Sequence, residues 1–206
     1  MPTLTSSILR TALLASVVAL SACADNMQPG AMAPMGSAMA TPMAGSVEVG
    51  GSPMLPSRDI VDNAVNSRDH TTLVSAVQAA GLVPTLKGAG PFTVFAPTNA
   101  AFSALPPQTV PTLLRPENKA ALTGVLTYHV VPGRLDFAAL AERIRAGGGT
   151  ATLPTAGGGT LTAMMNGPHN IVVRDATGGV ARITTYDVIQ SNGVIHVVDR
   201  VLMPRA

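Results

Sequence analysis

Within "HTTLVSAVQAA", residues 70–80, the apolar side chains Leu73, Ala76, Val77 and Ala80 recur at the i, i+3, i+4, i+7 spacing of one helix face. This predicts an amphipathic helix, capped by Ser67 or Asp69 and stopped by Gly81. An earlier helix is expected over "RDIVDNAV", with Ser57 as its cap. "PFTVFAP", residues 91–97, alternates and is rich in branched and aromatic side chains, which predicts a strand. It passes directly into a short helix carrying Ala101, Phe102 and Leu105, with Thr98 or Asn99 as the cap. Pro116, with Glu117 beside it, opens another helix over "PENKAALTGVL", which runs into "TYHVVPG", read as extended. Asp136 caps "FAALAERIRA", and Gly147 to Gly149 end it. Beyond that point the period changes to two. Strands are expected at 150–154, 159–165, 170–174, 180–184 and 193–202, separated by Gly- and Asn-rich turns. Helices early and strands late favour an α+β domain, with helices on or beside a largely antiparallel sheet, over a βαβ repeat. The pattern occurs once, so the chain should hold a single module.

Upstream the periodicity vanishes. Arg10 precedes "TALLASVVALSA", residues 11–22, an uncharged run too short to span a bilayer as a mature helix, and it reads as a secretory signal. It closes on Leu20-Ser21-Ala22-Cys23, which resembles the bacterial lipobox, whose cysteine accepts diacylglycerol. The alternative is an ordinary secreted protein with an incidental cysteine. From Ala24 on, Ala, Met, Gly, Pro and Ser dominate, the composition of a flexible spacer. Its thioethers, Met27, Met32, Met35, Met39 and Met43, are soft donors of the type that ligates Cu(I), so copper binding stands beside the plain spacer, which leads. The expected organisation is a signal peptide over 1–22, a lipidated Cys23 and linker over 23–54, and a folded domain over 55–206.

Composition narrows the class further. Of 206 residues 47% are hydrophobic but 3% aromatic, with no Trp, so the core must be packed from aliphatic side chains. A net charge of +2, with basic residues scattered along the chain, gives nucleic-acid binding little support. A single cysteine allows no disulfide framework within the chain.

Three blocks stand out together: "TVFAPTNAAF" at 93–102, "YHVVPG" at 128–133 and "SNGVIHVVDRVLMP" at 191–204. In this order and spacing they resemble the fasciclin (FAS1) domain family, over about residues 55–205. The resemblance implies a wedge-shaped β-sandwich with several helices, mainly in the N-terminal half, and an extracellular adhesion module. Asn99 stands where the family often carries Asp; either can cap a helix, so charge is lost and the cap is expected to survive. The resemblance also implies an adhesive role for Tyr128 and His129, and for Asp187, Val188 and Ile189, which occupy the place of an Asp-Ile motif in animal members. A lipobox implies a bacterial source, which argues against an animal receptor and leaves the ligand unknown.

The residues themselves point to structure before chemistry. His196 alternates with Val194 and Val198 while Ile195 and Val197 face the other way, so a strand covered on both sides makes it a core histidine. Asn192-Gly193 is a type I′ turn signal. Tyr128 and His129, if in a strand, face opposite sides. His70 and His169 are expected at the solvated surface. Arg134, Arg143, Arg145, Arg174, Arg182 and Arg200 could gather into a patch for acidic polysaccharide or lipid head groups. H-E-x-x-H, G-x-S-x-G and the phosphate-cradling G-x-x-x-x-G-K-[ST] are absent. The expectation is therefore a non-enzymatic cell-envelope lipoprotein that needs no cofactor. It is lipid-anchored after secretion, periplasmic or on the outer membrane in a Gram-negative source, and adheres weakly to proteins or matrix polysaccharide. A periplasmic binding protein for copper or a small apolar ligand is the alternative.

Overall fold

The computed structural model describes residues 46–205. Cys23, the five linker methionines and the signal segment lie outside them. The folded body begins earlier than expected, with a hairpin of β1 (Val47–Val49) and β2 (Ser52–Met54). Val49 and Met54 are buried, which corrects the linker boundary at 54. Gly50 and Gly51, at φ 60° and 74°, make the tight turn, and it is here that the backbone needs paired positive φ values. Pro53 and the glycines interrupt the apolar alternation, so the hairpin carried no clear pattern.

Among the described residues seven α-helices follow: α1 (Ile60–Ala64), α2 (Thr71–Ala80), α3 (Val83–Leu86), α4 (Asn99–Ser103), α5 (Thr109–Leu113), α6 (Lys119–Tyr128) and α7 (Phe137–Ala146). Asp59, not Ser57, caps α1 by accepting the Asp62 N–H at 2.8 Å. Neither Ser67 nor Asp69 caps α2, because a 3-10 turn, Arg68–His70, intervenes and makes His70 the preceding residue. The cap arrives from elsewhere in the chain. Asn99 Oδ1 accepts the Thr72 N–H at 3.0 Å while its Nδ2 donates to the Arg68 carbonyl at 2.8 Å, so one amide both caps α2 and pins the turn before it. A carboxylate could not make the second bond. Thr98 caps α4 itself, accepting from the Ala101 N–H.

The sheet has seven strands in the order β4-β3-β9-β8-β7-β6-β5. They are β3 (Phe92–Pro97), β4 (Val130–Pro132), β5 (Thr150–Pro154), β6 (Thr160–Met165), β7 (Ile171–Arg174), β8 (Val180–Gln190) and β9 (Gly193–Val198). Only β3 and β9 run parallel, Phe92 opposite Gly193 through Pro97 opposite Val198. The sheet curls until its ends meet: the Ala156 N–H, just past β5, donates to the Val130 carbonyl of β4 at 2.7 Å, and the Gly157 N–H to the Thr127 carbonyl at 3.1 Å. Every residue of β9 is buried. One face, including Ile195 and Val197, meets α1, α2 and α6 in a first core; the other, including Val198, meets α7 and the inner face of β5 to β8 in a second.

The turn joining β8 to β9 departs from the expected type. Neither Asn192 nor Gly193 has positive φ. Gly193 is instead required by crowding, since a Cβ there would lie 2.1 Å from the Phe92 carbonyl oxygen. Asn192 works as a rivet. Its Oδ1 accepts the Ile60 N–H at 3.1 Å, its Nδ2 donates to the Leu86 and Gly88 carbonyls at 2.8 and 3.1 Å, and its own carbonyl accepts the Phe92 N–H at 3.1 Å. Asn192→Ala should leave three backbone groups unpaired, and urea unfolding should register a loss of about 2 kcal/mol or more. Unchanged stability would contradict the rivet.

Candidate functional site

Tyr128 ends α6 and His129 is its C-cap, so the pair sits at a helix terminus and not in a strand. Both are interior, with 1% and 2% exposure, which corrects their assignment as contact residues for a partner. The Tyr128 hydroxyl donates to the Thr160 carbonyl at 2.7 Å and accepts the Ala176 N–H at 2.9 Å, tying α6 to two strand turns. Burial pushes its phenol pKa up. His129 Nδ1 meets the Val125 carbonyl at 2.8 Å, and Nε2 accepts the Leu202 N–H at 2.9 Å. A nitrogen facing a carbonyl must carry the proton and one facing an amide must not, so the ring is a neutral Nδ1–H tautomer. Burial pushes its pKa down to about 4.

His196 solves the same problem with the opposite tautomer. Nε2 donates to the Leu135 carbonyl at 2.7 Å, while Nδ1 receives the Asp187 N–H at a long 3.4 Å. The ring is fully buried, stacked on Phe95 with centroids 5.8 Å apart, and burial lowers its pKa. Asp187 adopts φ 55° at a bulge in β8, and its carboxylate accepts the Phe137 N–H at 2.7 Å, fixing the start of α7. Val188 is buried, and Asp187 and Ile189 are half-buried. Within the triplet, Val188 is taken up by the core and the Asp187 carboxylate by the start of α7, while Asp187 and Ile189 keep part of their surface.

Sequence reasoning missed Asp175, which has no motif around it. Its Oδ1 accepts from the Thr177 N–H and hydroxyl and the Gly179 N–H, and its Oδ2 takes the Met203 N–H at 3.1 Å. Burial acts to raise this carboxyl, and the hydrogen bonds from Thr177, Met203 and Gly179 outweigh it and hold the pKa low. With His129 it seats the last segment, which leaves the strand after Val198 and not at the expected residue 202.

His70 was expected in solvent and is buried, at 3% exposure. Ser67 Oγ lies 2.9 Å from its Nδ1, whereas Nε2 has no hydrogen-bond partner. Burial lowers its pKa, against the Ala96 carbonyl and Asp69, which favour the charged ring. It borders a void of about 100 Å³ under α1 and α2.

The outer face of β5 to β8 is the polar counterpart. Cross-strand register aligns Thr152, Thr162, Arg174 and Val180 in one row, with Arg182 beside it opposite Val172. Arg174, Arg182 and Thr184 are exposed. Asn166, Asn170, Arg182 and Thr184 border a shallow hollow of about 190 Å³. Among the described residues no cluster of His, Cys, Asp and Glu is arranged to hold a metal.

Residues 68–204 match the family described as Fasciclin domain. Protein sll1483 of Synechocystis sp. is 46% identical over 145 residues, 70% of this chain and 73% of that protein. Cell surface glycolipoprotein MPB83 of Mycobacterium bovis is 35% identical over 151 residues, 69% of this chain and 59% of that one. Among solved structures, a FAS1 domain pair from the insect cell adhesion molecule Fasciclin I shares the fold with a TM-score of 0.65 at 17% identity, over 72% of this chain and 51% of the pair. The chain belongs to the fasciclin domain family.

Acid stability follows from the imidazoles. Between pH 6.5 and about 4 the unfolded chain protonates residue 129 while the folded protein does not, so the stabilisation is complete above 6.5 and is lost as pH falls towards 4. The loss is on the order of 3 kcal/mol for this group. Urea midpoints measured from pH 7.5 to 4 should fall accordingly, and His129→Gln should flatten the slope. An equal slope in the variant would contradict this origin.

Proposed function

We propose that this chain is a cell-envelope lipoprotein, anchored through Cys23, whose fasciclin domain is a non-catalytic adhesion module for acidic polysaccharide. The observation that carries this reading is the division of polar chemistry. His129, His196 and Asp175 are spent on backbone groups inside, while Arg174 and Arg182 stand outside among threonines, Arg182 beside a polar hollow. Guanidinium groups pair with carboxylates or sulfates, and hydroxyl and amide groups suit sugar hydroxyls. The lipobox at Leu20 to Cys23 supports the anchor, as does the name of the M. bovis relative, a cell surface glycolipoprotein.

Two measurements test it. Detergent partitioning should carry the wild type into the detergent phase and leave Cys23→Ala in water; equal aqueous partitioning rules out the anchor. On immobilised polyuronate the full chain should bind with salt-sensitive affinity, reduced roughly fivefold by Arg174→Ser with Arg182→Ser. Equal binding to neutral dextran, or no effect of the double substitution, would point to a protein partner.

A further inference from the structure

The void beside His70 has two properties that do not suit a packing defect. Its walls are apolar: Val49, Ile60, Leu73 and Val77 on the hairpin and helix side, with Val94 of β3 and Ile195 of β9 beneath. Such walls offer water too few partners to hold it. Yet His70, on the rim of the same space, keeps a buried Nε2 that makes no hydrogen bond of good geometry, although the Ala96 carbonyl acts on the ring; proteins rarely leave such a nitrogen without a ligand or water. His129 also borders the void, but both its nitrogens are engaged.

We propose that this void is a binding site for a ring-sized, otherwise apolar molecule carrying one hydroxyl or carbonyl oxygen, with the ring against the aliphatic walls and the oxygen on His70 Nε2. The volume, about 100 Å³, is smaller than the engineered apolar cavities of about 150 Å³ that take up benzene, so the occupant is limited to a single small ring. Composition explains why the space exists. With 3% aromatic residues and no Trp, the gap between α2 and the β3–β9 pair is bordered chiefly by aliphatic side chains, which leave room for a foreign ring. Ser67 supplies the orientation: its hydroxyl, itself buried, holds Nδ1 at 2.9 Å, so the opposite nitrogen is the one left to pair. When the serine hydroxyl donates, Nε2 carries the proton and presents it to the ligand's oxygen. The site lies on the opposite side of the sheet from the second core and does not depend on the outer-face adhesion reading.

The test uses the full chain with phenol and its isostere toluene, read by binding isotherms and by the imidazole nitrogen resonances of His70. Phenol should bind saturably, about tenfold more tightly than toluene, the effect of one added hydrogen bond. His70 resonances should move with phenol and not with toluene. In His70→Leu the preference for phenol should vanish while toluene still binds. If that variant does not fold, the wild-type His70 resonances decide. Absence of saturable phenol binding, or toluene binding as tightly as phenol with His70 unmoved, overturns the proposal.

Discussion

Strand β9 is buried along both faces, and most of the domain is a consequence of that constraint. A strand in this position can carry no polar side chain unless its hydrogen bonds are completed internally, because each orphaned group costs about 1–3 kcal/mol. His196 is the one polar side chain on it, and it turns that liability into a brace between Leu135 and the bulge at Asp187. The bulge in turn aims the Asp187 carboxylate at the first amide of α7. One imidazole thus links the central strand, its neighbour and the helix that closes the second core.

The same device recurs around the perimeter of the central strands. His129 joins α6 to the terminal segment, Asp175 holds the next amide of that segment, and Asn192 and Asn99 tie helix ends to distant segments. Aliphatic packing alone is permissive about register. Directional polar contacts at these few points select one arrangement; among the described residues, the buried side-chain polar atom left without a hydrogen bond is His70 Nε2. The exposed Arg174, Arg182 and Thr184 stand instead on the outer strand face.

Local rules were legible where they decide the outcome. The stripe through Leu73, Ala76, Val77 and Ala80 is buried as its spacing requires, and Thr98 and Asp136 cap the helices that follow them. Three matters were not local. Tyr128 belongs to a helix although "TYHVV" is rich in strand formers, because its ring must reach the turns at Thr160 and Ala176. His70 looks like a surface residue beside charged neighbours, yet the hairpin at Val47 to Met54, itself disguised by Gly and Pro, lies against the core that covers it. Asp187 sits in an alternating strand whose bulge no pattern announces. Each depends on a segment distant in sequence, which is why the fold could be read more fully than the surface it presents.

The central claim is that the imidazoles of His129 and His196 are neutral structural braces. Nitrogen-15 NMR of the histidine rings through an acid titration tests this most directly. His129 should appear as the Nδ1–H tautomer and His196 as Nε2–H, both remaining neutral well below pH 6.5, with His129 charging only near pH 4. Rings that exchange tautomers and titrate near 6.5 would show them to be solvated and free, and the account would fail.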